Sequence, residues 1–165
     1  MHAWALEAQR STGGRVLRTE SIHLTLAFLG EVDEARIAEL KGLSVKSARH
    51  ELPVEQARHW SRNQIVWVGP SEIPDALSAL AGNLNETLLA KGFRIEKREF
   101  AAHVTLIRKA RKRIPLPSLP AVSWPVNEFL LVRSQLSPDG SRYEIVTRFP
   151  LNRPSTAADC AGSGR

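Results

Sequence analysis

Two short segments of the chain carry the same alternation of polar and apolar residues: His23-Leu24-Thr25-Leu26 and His103-Val104-Thr105-Leu106. Side chains alternate between the two faces of a strand, so each histidine shares a face with its threonine. An imidazole gives or takes a proton near neutral pH. Two imidazoles flanking a phosphodiester can act as base toward water and as acid toward the leaving sugar oxygen. The Thr25 and Thr105 hydroxyls can hold non-bridging phosphate oxygens, and this chemistry needs no metal.

These histidines also have other interpretations. One His-x-Thr in a strand is typical of a packed or surface histidine, but two copies 80 residues apart favour a shared site. A zinc site is the competing chemistry, with candidate nitrogen ligands at His23, His50, His59 and His103. The chain has no His-x-His or His-x-x-x-His pattern, and Cys160 is its one cysteine. We therefore expect no metal and no cofactor, and we expect His50 and His59 to face solvent.

The charge of the chain is concentrated. The net charge is +6 and the pI is about 10.1, and the segment from Arg94 to Arg113 holds eight basic residues against two glutamates. A patch of this kind favours a polyanionic partner through phosphate contacts. The alternative is a solvated basic loop that keeps the protein in solution.

The elements that must position these residues can be predicted from periodicity and turn residues. Helices are expected over residues 2–10, 32–43 (capped by Asp33) and 74–90. Strands are expected over residues 15–18, 22–30, 52–57, 64–68, 101–107, 126–135 and 143–149, the last two joined by a turn at 136–140. The mixture predicts an α+β domain over residues 1–150, followed by a disordered tail over 151–165.

The remaining composition excludes several classes of protein. Hydrophobic residues make up 42% and charged residues 24%, which is the composition of a globular chain rather than a disordered one. No apolar stretch approaches the roughly 20 residues that cross a bilayer. Glu7 and Arg10 interrupt the first residues before a signal-peptide core could form, so we expect none. We expect a soluble, cytoplasmic monomer without membrane contact.

Three segments together resemble a known family. Residues 20–32 and 97–109 look like its two histidine motifs with their flanks, and residues 136–144 look like its closing hairpin. On these motifs the chain is identified as a member of the two-histidine (2H) phosphoesterase superfamily. Within it, the chain resembles the RNA 2′,3′-cyclic phosphodiesterases, which are also called 2′-5′ RNA ligases.

The resemblance implies a fold, a reaction and residue roles. The fold is bilobal α+β with pseudo-two-fold symmetry, two β-sheet lobes flanking a central cleft and helices outside. The reaction is hydrolysis of a 2′,3′-cyclic phosphate at an RNA end to a 2′-phosphomonoester. By family roles, His23 is the proton donor and His103 the acceptor, and Thr25 and Thr105 hold the phosphate. Arg108 is a candidate phosphate contact, although strand alternation points it away from His103 and a solvated role is the alternative.

The chain departs from the family pattern in two ways. Members usually open with a strand before the first helix, and this chain begins inside that helix, so we expect the strand to be missing. A sheet edge left unpaired in this way is prone to pairing with another chain. Ala102 stands where a proline commonly precedes the second histidine.

Aromatic residues near the cleft are candidates to stack a terminal base. They are Trp60, Trp67, Phe100 and Trp124, with burial in the core favoured for Trp67 and Phe100. Three other functions stay open on the residues alone: 2′-5′ ligation, hydrolysis of a small cyclic nucleotide, and RNA binding without turnover.

Overall fold

The computed structural model describes residues 1–96, 99–137 and 140–153. Its helices are α1 (His2–Thr12), α2 (Ile37–Lys41) and α3 (Asp75–Ala90), with 3-10 turns at Thr19–Ser21 and Glu34–Arg36. Its strands are β1 (Arg15–Val16), β2 (His50–Val54), β3 (Gln56–Trp60), β4 (Ile65–Gly69), β5 (Val104–Arg108), β6 (Val122–Val126), β7 (Glu128–Ser137) and β8 (Gly140–Pro150).

The first lobe is a four-stranded antiparallel sheet in the order β1-β5-β4-β3. Alternate residues of β4 and β5 are aliphatic and buried, which gives the sheet one apolar face. Helix α1 covers this face with Trp4, Ala5 and Ala8, which belong to the same buried cluster as Val66 and Val104.

The second lobe is built on the long hairpin of β7 and β8, with α3 and α2 against it. Leu80, Leu84 and Leu88 recur at helical spacing on α3 and pack with the stacked rings of Phe129 and Phe149. A two-stranded ribbon of β2 and β6 joins the lobes, and its residue Leu52 forms a small cluster with Leu77 and Ala102. The architecture is the bilobal α+β fold that the motifs imply.

A β-bulge interrupts the pairing of β4 with β5. Trp67 pairs with Thr105 and Val66 pairs with Ile107, so Leu106 is the extra residue. Leu106 and Ile107 are both completely buried. Directly paired residues share a face of a sheet, so Arg108, which pairs with Ile65, lies on the same face as Thr105. The expectation that alternation points Arg108 away from His103 is wrong, because the bulge shifts the alternation by one residue.

Several predicted elements are confirmed: α1, α3, β4, and the strand pair β7–β8. The predicted strand over 22–30 is wrong: Leu24 bridges Val104 of β5, but the residues on either side of Leu24 do not continue the pairing into a ladder. Alternation along such a strand would place Phe28 on the same face as Leu24 and Leu26, but Phe28 is 60% exposed.

Other boundaries also differ. The helix expected over 32–43 is a 3-10 turn followed by a single α-helical segment, and Asp33 makes no capping side-chain hydrogen bond. The strand expected over 52–57 is divided between β2 and β3. Strand β6 lies in a proline-rich segment for which the sequence predicts no strand; its Pro125 pairs with Glu51. The predicted turn residues Pro138 and Asp139 lie outside the described residues.

The chain immediately after β8 is packed. Leu151 is 3% exposed within the second lobe's core, and the Asn152 N–H donates to the Ser47 carbonyl at 3.0 Å. Most of the predicted tail, residues 154–165, lies outside the described residues. Among the described helices, none has the length and apolar character needed to cross a membrane.

Candidate active site

The two His-x-Thr segments meet at a backbone bridge, where Leu24 pairs with Val104 in the antiparallel sense. An antiparallel pair has local two-fold symmetry, so the residue before one partner lies opposite the residue after the other. His23 therefore lies opposite Thr105, and Thr25 lies opposite His103. The Val104 side chain is buried in the first lobe's core. The polar side chains on either side of it consequently occupy the other face.

This register sets the spacing of the four polar groups. Directly opposite residues have Cβ atoms about 4.5–5.5 Å apart, and diagonal neighbours are about 7–8 Å apart. The two threonines and two histidines thus border one small space, with the imidazoles on its diagonal. Both histidines and Thr105 are half-buried, and Thr25 is exposed. The structure brings the predicted histidines and threonines together.

The two imidazoles are oriented by equivalent hydrogen bonds. His23 Nδ1 lies 2.8 Å from the Ser21 carbonyl oxygen, and His103 Nδ1 lies 2.8 Å from the Ala101 carbonyl oxygen. A carbonyl oxygen only accepts, so Nδ1 carries a hydrogen and donates it in each ring. This leaves Nε2 of each ring as the nitrogen that is available to accept or give a proton.

The surroundings of the two histidines differ. The His23 ring meets the Tyr143 ring edge-on, with centroids 4.7 Å apart. The His103 ring lies 4.8 Å from the Trp60 ring and 6.2 Å from the Trp67 ring, and these two indoles are themselves 4.9 Å apart. Sequence reasoning missed Tyr143 as a site residue, although it lies in the closing-hairpin motif at 136–144.

The four aromatic candidates are divided between the site and the cores. Trp60 is half-buried beside His103, whereas Trp67 is 7% exposed, which confirms its expected burial. Phe100 and Trp124 are half-buried and pack against the cluster of Leu52, Leu77 and Ala102. Trp60 is therefore the candidate that both contacts a site histidine and keeps substantial exposure.

His50 and His59 do not face solvent as expected. Both are half-buried in strands, with His50 Nδ1 3.0 Å from the Ala48 carbonyl and His59 Nε2 2.8 Å from the Ala110 carbonyl. Their other ring nitrogens are buried without a partner among the described residues. Within the described ranges, no group of three or more His, Cys, Asp or Glu side chains could hold a metal ion.

Arg108 is exposed at the end of β5, on the face that carries Thr105. On the side of β5 that pairs with β1, the residue opposite Arg108 is Arg15. The Arg108 guanidinium is a group that suits an anion such as a phosphate. The site thus combines two oriented imidazoles, two hydroxyls and a guanidinium on one face.

Comparisons with known proteins give matches over most of the chain. A family model described as LigT like phosphoesterase matches residues 3–67 and 68–143. The chain is 32% identical over 144 residues to an RNA 2′,3′-cyclic phosphodiesterase of Escherichia coli K12, covering 85% of this chain and 81% of that one. It is 30% identical over 167 residues to the Thermus thermophilus protein of the same name, covering 92% and 83%.

Solved structures give the same result. The crystal structure of E. coli LigT complexed with 3′-AMP is similar with a TM-score of 0.79 and 29% identity, covering 92% of this chain and 88% of that one. The crystal structure of a Thermus thermophilus protein, TT0787, is similar with a TM-score of 0.70 and 25% identity, covering 93% of each chain.

Proposed function

Because this chain belongs to the LigT-like phosphoesterase family, an enzyme family of phosphodiesterases, we propose that it hydrolyses terminal 2′,3′-cyclic phosphates of RNA. The product is a 2′-phosphomonoester, and the catalysts are two histidines without a metal. The observation that supports the proposal is the antiparallel Leu24–Val104 bridge, because it makes the two His-x-Thr segments neighbours, with each histidine opposite the threonine of the other segment.

The reaction proceeds by displacement at phosphorus. His103 Nε2 takes a proton from water, and the water oxygen bonds to phosphorus as the bond from phosphorus to O3′ breaks. His23 Nε2–H gives its proton to O3′, which leaves as a hydroxyl. After one turnover His23 has lost a proton and His103 has gained one. Proton exchange with solvent then restores the protonation state that each histidine had before the reaction. The roles of donor and acceptor follow the family resemblance, because the local two-fold symmetry alone allows them to be exchanged.

The remaining site residues hold the phosphate. The hydroxyls of Thr25 and Thr105 are donors that suit the non-bridging oxygens. The guanidinium of Arg108 adds positive charge on the same face because of the bulge at Leu106. Donors and charges fixed before the reaction stabilise the negative charge that grows on phosphorus.

Each of the two histidines has an aromatic ring beside it. A base becomes positively charged as it takes a proton, and an aromatic ring within about 6 Å interacts favourably with a cation over its face. The Trp60 centroid lies 4.8 Å from the His103 ring. His23 has Tyr143 in place of an indole.

The test uses a short RNA that ends in a 2′,3′-cyclic phosphate, incubated with the protein in EDTA. Mass spectrometry of the ends measures the gain of one water, and a phosphatase identifies the monoester. We expect the 2′-phosphomonoester end to form at an undiminished rate in the presence of the chelator. Absence of reaction, or activity that needs an added metal, contradicts the proposal.

Matched variants make the result specific to the two histidines. His23→Asn and His103→Asn keep an amide N–H for the carbonyl bond and lose Nε2. His50→Asn is the control, because His50 Nδ1 makes the same kind of bond to the carbonyl two residues earlier. We expect the first two variants to lose activity and the control to keep it.

A further inference from the structure

A groove lies beside the two-histidine face, along the edge of the first sheet. It has a volume of about 980 Å³ and lies between residues 55–60, which include β3, and residues 113–119. Strand β3 is at the edge of the four-stranded sheet, so the groove follows an edge strand. Five residues of strand span roughly 17 Å, which is long enough for a few nucleotides.

One end of the groove adjoins the face that carries the two histidines. Trp60 lines the groove and also lies 4.8 Å from the His103 ring. Arg58, another lining residue, pairs with Trp67 and so shares the face of the sheet that carries Thr105. One end of the groove is therefore next to the place where the cyclic phosphate would react.

The walls of the groove are basic and aromatic. Arg58 and Arg113 are both exposed, and Arg113 ends a run in which five of the six residues from 108 to 113 are basic. The acidic lining residue, Glu55, is occupied by hydrogen bonds from the Ser71 hydroxyl and backbone N–H. The bond from the Ser71 hydroxyl, and to a smaller extent the bond from the Ser71 backbone N–H, hold the pKa of Glu55 below its ordinary value. The groove thus presents two guanidiniums and an indole beside one ionised carboxylate; basic and aromatic side chains together are the combination that binds single-stranded nucleic acid.

The outer wall of the groove is held in place by three side-chain and backbone contacts. His59 Nε2 donates to the Ala110 carbonyl at 2.8 Å, and the Lys112 N–H donates to the Thr12 carbonyl at 3.2 Å. The Trp4 indole N–H donates to the Ser118 carbonyl at 3.1 Å. These bonds tie the basic run to β3 and to α1, so the groove is formed before any ligand binds and little ordering cost remains.

We propose that this groove binds the RNA strand that continues in the 5′ direction from the cyclic end. This inference rests on the proposed function, since it assigns the location of the rest of that substrate. Arg58 and Arg113 contact phosphates of the second and later nucleotides, and Trp60 stacks a base beside the reacting end. An edge strand can also accept a protein strand, but guanidiniums on both walls and the continuity with the catalytic face favour RNA.

The experiment compares two substrates. One is a 2′,3′-cyclic mononucleotide, which reaches only the catalytic face, and the other is an octanucleotide with the same cyclic end. We expect the wild-type protein to show a KM at least about tenfold lower for the octanucleotide, because each arginine adds a charge-assisted hydrogen bond to a phosphate that the mononucleotide lacks. In Arg58→Gln and Arg113→Gln the ratio of the two KM values should move toward one.

Salt dependence gives a second readout. Each phosphate contact to a single strand contributes about 0.7 to the slope of log affinity against log salt. Fluorescence anisotropy with a labelled octanucleotide ending in a 2′-phosphate measures this slope without turnover. We expect it to flatten by about 0.7 in each arginine variant. Lys41→Gln is the matched control, because Lys41 is exposed on α2 outside the groove and loses the same charge.

The outcomes separate this inference from the function on which it rests. Equal KM values for both substrates in the wild type, or an equal loss in Lys41→Gln, overturn the groove assignment. Sedimentation that shows a dimer abolished by the arginine variants, with RNA affinity unchanged, also overturns it in favour of a protein strand. If neither substrate turns over while groove-dependent RNA binding persists, the proposed hydrolysis fails and the groove assignment stands.

Discussion

The His23→Asn substitution removes Nε2, the proposed proton donor, and keeps a hydrogen-bond donor in place of Nδ1. The asparagine amide can still donate to the Ser21 carbonyl, which lies 2.8 Å from His23 Nδ1. The side chain is half-buried and its ring contact is the edge of Tyr143, so we expect folding to be little affected. General acid catalysis contributes about 10²–10⁴-fold, so kcat should fall by that factor. The corresponding increase in the activation free energy is about 2.7–5.5 kcal/mol.

A substrate with sulfur in place of O3′ tests whether this loss is the loss of an acid. A thiolate leaves without a proton, so cleavage of the bond from phosphorus to sulfur needs no donor at His23. On this substrate His23→Asn should approach the wild-type rate, whereas His103→Asn should keep its full deficit because water still needs a base. The released thiol is measured with a chromogenic disulfide reagent, and His50→Asn serves as the control.

Two results would refute the reasoning. Rescue of His103→Asn instead of His23→Asn means that the donor and acceptor roles are exchanged. A loss below about tenfold in both variants on the oxygen substrate means that the two imidazoles do not share the proton transfers.

Three further predictions concern stability. Gly14 has φ of +86° and a Cβ there would lie 2.5 Å from the Arg108 carbonyl oxygen, so Gly14→Ala should lower the free energy of unfolding by at least about 1–3 kcal/mol in urea titration. Leu106→Ala removes a completely buried side chain at the bulge and should cost about 2–5 kcal/mol in the same assay; a cost below about 1 kcal/mol would contradict the packing described. Hydrogen bonds from Ser71 lower the pKa of Glu55, so Glu55→Gln should lower Tm at neutral pH. This difference should vanish as the pH falls through the lowered pKa, and a difference that grows toward acid pH would be the opposite of what these bonds require.

Much of the fold could be predicted from local periodicity. The leucines of α3 repeat at helical spacing and are buried as expected, and the aliphatic residues of β4 and β5 mark the buried face of the first sheet. These patterns are visible in the sequence because each element must bury one face of its own. Prediction failed where an element depends on a partner. Residues 22–30 have strand-forming side chains but one bridge to Val104, and β6 forms around Pro125 because β2 pairs with it.

The chemistry of the site was determined by the sequence alone: two imidazoles, two hydroxyls and a basic segment, each on a short pattern that places them on one face. Their arrangement was decided by tertiary structure. The Leu24–Val104 bridge set which residues lie opposite each other, the bulge at Leu106 put Arg108 on the face that carries Thr105, and the hairpin brought Tyr143 to His23. The physical reason is that alternation within a strand is a local property of the backbone, whereas pairing register and bulges arise only when distant strands meet and bury their faces together.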